Sequence, residues 1–277
     1  MLITFILTST ALYSHTFKEA SSNIQMQDVV YLLIICFWIS LTIFYVAKKS
    51  HHTSRHTTLS LCFSLFFIYA FMPQIETLLL GNVYASLSVV DVLFIIIGNA
   101  VPVIVTVLVG VKLFGNDFHP SRYSREPKKF TVIEVIVKLV LTGFFYVLIY
   151  FVFGYFVYWR MGASHVFYNG DNHNTGFIPK IMETWNDVPQ VYLIEFIRGL
   201  LYGIFVLPVI NIFRKRSLPL LISLVLLLAT PVLYMLVPDS LFPNTVRVGH
   251  LWQIAGTQFL FALITWLVFD KIKIYKQ

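Results

Sequence analysis

Charge is what this sequence has least of. Of its 277 residues only 12% are Asp, Glu, Lys or Arg, about half the share of a typical soluble domain. The deficit runs the whole length of the chain, which excludes a soluble domain carried on one anchor. Cysteine is scarce too. Cys36 and Cys62 both fall in apolar stretches at different depths, so neither a disulfide framework nor a structural zinc site is expected. There is no His-Glu-x-x-His helix, no Gly-x-Ser-x-Gly elbow and no phosphate-binding P-loop. Gly162-Ala163-Ser164-His165 loosely resembles a serine-protease glycine motif, but it has no evident base partner. No internal repeat or low-complexity tract stands out. No catalytic residue, metal or cofactor is expected on these grounds.

What is present is apolar: 58% hydrophobic, 17% aromatic, mean hydropathy +0.79. That composition predicts an all-α, polytopic transmembrane helix bundle. Seven stretches approach or exceed the ~20 residues that cross ~30 Å of hydrocarbon. They are Val29 to Ala47, about Leu59 to Leu80, Leu87 to Val111, Thr131 to Trp159, Asp187 to Phe213, Leu218 to Val237 and about Val248 to Phe269. The fourth is long enough to tilt, or to project beyond the bilayer. The expected organisation is an N-terminal segment over 1–28 and one seven-span domain over 29–277. Leu2 to Ala11 is too short to span; it reads as a signal-like apolar run lacking a basic flank, or as an interfacial segment.

The net charge of +7 would suit nucleic acid if it formed a patch, but it is spread over short loops, so no nucleic-acid partner is expected. Lys48, Lys49, Arg55, Lys112, Arg122, Arg125, Lys128, Lys129, Arg214, Lys215, Arg216, Lys271, Lys273 and Lys276 fall in one set of loops. The opposite set holds Lys18, Arg160, Lys180 and Arg247. The positive-inside rule then predicts a cytoplasmic C-terminus and an outside N-terminus, which requires an odd number of spans. An outer loop over 160–186 follows. It holds a run of turn formers from Tyr168 to Gly176 and an amphipathic stretch from Phe177 to Trp185, expected to lie on the membrane surface.

Ionisable side chains at membrane depth are costly, and by default they mark a site. Glu195 and Arg198, three apart in the fifth span, share a helix face with Gly199, Tyr202 and Gly203. The two glycines form a small-xxx-small pair that admits a close neighbour. The third or seventh span, or a membrane-protein partner, is expected there. With the predicted orientation, Glu195 and Arg198 lie in the outer leaflet, as do Glu76, Asp91 and Asn99 of the second and third spans and Arg247, His250 and Gln253 of the seventh. Two readings stand. In one, these eight residues line a polar cavity open to the outside, for a small solute or ion. In the other, they pair to lock helices together or, for Arg247 and Glu76, anchor at the interface.

Other groupings read more simply. Glu134 and Lys138 have the i, i+4 order that supports a helix. His51, His52 and His56 lie among basic residues, in a loop suited to anionic lipid. His165, Asp171 and His173 sit among Asn and Gly, as a solvated turn does.

From about Phe153 to Phe269 the chain resembles a group of multi-pass bacterial inner-membrane proteins without an assigned activity. The resemblance rests on Gly154-Tyr155-Phe156-Val157, Phe167-Tyr168-Asn169-Gly170, Arg198-Gly199-Leu200-Leu201-Tyr202, Leu207-Pro208, Val237-Pro238, Phe242-Pro243 and Val246-Arg247 with His250. That group often has an acidic residue soon after the His and then Ser-Asn-Phe; here Gln253 and Thr257-Gln258-Phe259 are neutral. The resemblance implies the bacterial inner membrane and no activity. Three functions remain in view: a binding or transport protein with an outward polar cavity, a non-catalytic sensor or assembly subunit, and a membrane enzyme on lipid-linked substrates using Glu195 or Asp91.

Overall fold

The computed structural model describes residues 26–50, 54–79, 89–114, 130–161, 166–167, 175–213, 218–237 and 243–272. The features expected at Leu2 to Ala11, at His51 and His52, and at His165, Asp171 and His173 lie outside those residues. The named elements are helices throughout: α1 Met26–Lys49, α2 Ser54–Leu65, a π-helical turn Phe66–Phe71, α3 Met72–Leu79 and α4 Val89–Phe114. Then come α5 Val132–Phe153, a second π turn Gly154–Trp159, α6 Phe177–Asp187, α7 Gln190–Ile212, α8 Leu218–Leu228, a 3-10 helix Thr230–Leu236 and α9 Asn244–Asp270. Helix is the form that bonds every backbone N–H within its own segment, as hydrocarbon requires.

Among the described residues six stretches are long and apolar enough to cross a membrane: Val29–Lys49, Ser54–Ile75, Val92–Phe114, Val132–Trp159, Gln190–Ile212 and Asn244–Asp270. The chain is a multi-pass membrane protein. Among the described residues the stretch expected as a sixth of seven spans is shorter, an apolar helix over Leu218–Leu233. Within it Pro231 breaks the α-helical hydrogen bonding. It has no N–H for the Leu227 carbonyl, and its ring crowds that turn. The Thr230 hydroxyl donates to Leu227 O instead, at 2.7 Å, and the chain tightens into 3-10 turns.

The chain divides into two compact units, one of Met1–Lys128 with Phe205–Leu233, the other of Lys129–Ile204 with Tyr234–Gln277. In the first, Trp38 Nε1 donates to Leu226 O at 2.9 Å and Ser64 Oγ to Phe205 O at 2.6 Å. The Phe67 and Phe205 rings stack at 4.4 Å. Trp38 and Ser64 thus each meet a backbone carbonyl, which hydrocarbon could not offer.

The second unit is built on α5. Thr131 caps it: its Oγ1 accepts from Glu134 N at 3.2 Å, and the Thr-x-x-Glu spacing is that of a capping box. Ile136, Val140, Phe144, Leu148, Val152 and Phe156 recur every four residues and are exposed, the stripe a lipid-facing helix presents. Lys138, Thr142, Gly143 and Tyr146 are buried on the other side. A Cβ on Gly199 would lie 2.5 Å from Tyr146 Cβ and 2.9 Å from Gly143 Cα, and one on Gly203 would lie 2.8 Å from Leu139 Cδ2. The neighbour of the Gly199/Gly203 face is therefore α5, the fourth span. The fourth span is thus the close neighbour at the glycines, where the third or seventh was expected, while Phe261 of the seventh reaches Tyr202 between them with ring centroids 6.0 Å apart. Tyr146, Tyr202 and Phe261 close the core with ring centroids 5.0 to 6.0 Å apart.

Candidate functional site

Of the eight residues singled out, five belong to the second unit. Glu195 is buried on α7, and both of its carboxylate oxygens accept from Arg198 Nη1, at 2.9 and 3.1 Å. The Arg198 guanidinium also faces the Tyr146 ring at 5.9 Å, so the pair is held against α5. Arg247, at the start of α9, is held by the protein itself. It is buried, and Nη1 donates to Met235 O at 3.2 Å and Leu236 O at 2.8 Å while Nη2 donates to Asn244 Oδ1 at 2.6 Å. Those carbonyls end the 3-10 helix and have no helical partner, so a guanidinium fork fits them. Arg247→Lys, which keeps the charge but loses the fork, should cost ~1–2 kcal/mol. Thermal unfolding of the purified protein in detergent would show it, and an unchanged midpoint would count against the clamp.

His250 stacks on Tyr158 with ring centroids 4.1 Å apart. Gln253, one turn further along α9, packs its amide against Gly154. Asn99 belongs to the first unit, where its Nδ2 donates to Ile95 O of its own helix at 3.0 Å. Glu76 and Asp91 also fall in that unit, on α3 and α4, but their side chains lie outside the described set. Within the second unit, Glu195 and Arg198 pair on α7, while Arg247, His250 and Gln253 follow one another along α9.

A cavity lies elsewhere in the second unit. It has a volume of 520 Å³, and its wall joins the end of α5, the second π turn, α6 and the start of α7. None of the eight residues lines it. Its size is that of a small-molecule site. Tyr150, Phe151, Tyr155, Trp159 and Phe177 supply aromatic surface, and Lys180, Glu183 and Asp187 supply charge. Lys180 Nζ donates to Glu183 Oε2 at 3.1 Å and lies over the Trp159 ring at 4.6 Å. Tyr155 OH donates to Thr175 O at 2.8 Å and Tyr192 OH to Ile181 O at 2.7 Å. These two bonds fasten α6 across the cavity. Ile178, Met182 and Trp185 on α6 remain exposed, the apolar face that an interfacial helix sets into the headgroup boundary.

Sequence reasoning found α6 and missed the cavity beneath it. The available signal was the aromatic density of Tyr150 to Trp159 followed by an amphipathic helix carrying one Lys, since Trp and Tyr gather where membrane meets water. Among the described residues no three His, Cys, Asp or Glu side chains gather into a metal-holding group. No family model, curated protein or solved structure matches this chain.

Proposed function

We propose that this is a binding protein of the bacterial inner membrane that holds an amphiphilic small molecule in the cavity under α6, on the extracytoplasmic side. The observation that carries this reading is the cavity's lining: five aromatic side chains beside one ammonium and two carboxylates. Aromatic walls accept an apolar chain, and cations bind well over aromatic faces. With two acids to one base, a zwitterionic or hydroxyl-bearing head is favoured over a purely anionic one. The positive-inside bias puts α6 outside. That topology needs seven crossings, and the 218–237 stretch supports them: 11 α-helical residues at ~1.5 Å and 7 in 3-10 form at ~2.0 Å come to about 30 Å of contour. Binding is preferred to transport, to a partner subunit and to catalysis at Glu195, because Glu195, Arg198 and Arg247 are each engaged inside the second unit.

A photoactivatable lysophosphatidylethanolamine tests the reading. Saturable crosslinks should concentrate in peptides containing Gly154 to Trp159 and Phe177 to Asp187. Trp159→Leu combined with Lys180→Ala should weaken half-saturation about tenfold, the size of effect expected when a site loses ~1.4 kcal/mol. Crosslinks spread evenly over the lipid-facing stripe of α5, without saturation, would defeat it.

A further inference from the structure

We propose that Gln253 and Thr257 form the inner end of a water-filled inlet that opens past Gly154 into the cavity under α6. Gln253 Oε1 and Thr257 Oγ1 are buried acceptors without a hydrogen-bond partner. The residues are 7% and 3% exposed. They lie four apart on α9 and so share a face. A buried polar atom left unmet costs ~1–3 kcal/mol in proteins. Water is the ligand small enough to satisfy both residues, and buried water does this in folded proteins.

On the opposing wall the two surfaces meet. Gly154 begins a π turn, a widened turn that recurs at functional positions. A Cβ placed on it would stand 3.5 Å from Gln253 Nε2 and 3.9 Å from Trp159 Cδ1. Gly154 and Trp159 also line the cavity, so one residue without a side chain belongs to both surfaces. Two neighbouring positions are covered by aromatic rings. Gly256 is covered by the Phe153 ring. Phe261, one turn beyond Thr257, is fully buried against Tyr146 and Tyr202. The Phe261 ring interrupts this polar face, and one turn beyond it the Thr265 hydroxyl is again buried and unmet. Nothing in this depends on what occupies the cavity.

Cysteine accessibility tests it in membranes, with Cys36→Ala and Cys62→Ala as background and methanethiosulfonate ethylammonium as the probe. Gln253→Cys and Thr257→Cys should react at least tenfold faster than Phe261→Cys. Gly154→Leu should slow both about tenfold. Gly154→Ala, whose added methyl sits at ordinary contact distance, should slow them about threefold without disturbing the fold. Glu183→Cys, exposed on α6, reports folding and reagent quality. Rates at 253 and 257 as slow as at 261 would overturn the inlet. Fast rates that neither Gly154 variant changes would overturn its route.

Discussion

Gly199→Ala is expected to destabilise the protein by about 3 kcal/mol, at the upper end of what overpacking costs. The added methyl would meet Tyr146 Cβ at 2.5 Å and Gly143 Cα at 2.9 Å. Both atoms are fixed by the α5 backbone, so no rotamer change relieves the contact and the two helices must separate. Close approach through small residues is a main source of attraction between helices in lipid, where burial of apolar surface adds little. At Gly203 the nearest atoms are Leu139 Cδ2 and Thr142 Oγ1, both on side chains, so Gly203→Ala should cost less than half as much. Gly98 has nothing within 4 Å of an added Cβ, and Gly98→Ala should be neutral or gain up to ~1 kcal/mol from helix propensity. Unfolding titrations of the three variants in mild detergent would rank them. Equal effects at 199 and 98 would refute the close crossing.

Lys138→Met is expected to cost about 3–5 kcal/mol, the usual penalty for removing one member of a buried pair. Lys138 is 1% exposed. Its Nζ lies 2.9 Å from Glu134 Oε1, donates to Phe269 O at 3.3 Å, and faces the Phe130 and Phe269 rings at 4.6 and 5.6 Å. One ammonium thus ties α5 to the last turn of α9, where helix carbonyls lack partners and the helix dipole favours a cation. Lys138→Met leaves the Glu134 carboxylate and the Phe269 carbonyl unmet in a nearly dry place. Adding Glu134→Gln should therefore restore at least ~1 kcal/mol, a coupling that a double-mutant cycle measures. A double variant no more stable than Lys138→Met would mean that the carboxylate is not stranded.

These two predictions differ in how far the sequence alone foresees them. The i, i+4 spacing of Glu134 and Lys138 announces their pairing, and the i, i+3 spacing of Glu195 and Arg198 announces theirs. Thr131 with Glu134 announces the cap. Nothing in the spacing announces Phe269 as the third partner of Lys138, because it lies 131 residues away. Pro231 stands in plain view, yet reading it as an interruption of a span misses the 3-10 turns and the use of Arg247 to close them. The site shows the same division. The amphipathic pattern of Phe177 to Trp185 is legible by eye, and the cavity is not.

From sequence alone come the all-helical class, the membrane setting, seven expected spans of which six match membrane-length helices, and the amphipathic helix α6. Each follows from rules that act within a few residues or across one bilayer thickness: backbone self-satisfaction in lipid, ~20-residue apolar runs, and the 3.6-residue period. Tertiary structure decided that Gly199 meets α5, that Arg247 closes the 3-10 helix, and that a 520 Å³ cavity sits under α6. Those outcomes depend on which surfaces fit together. In lipid, nearly every helix surface is apolar, so hydrophobic patterning cannot select partners; shape at single glycines and the placement of a few buried polar atoms do.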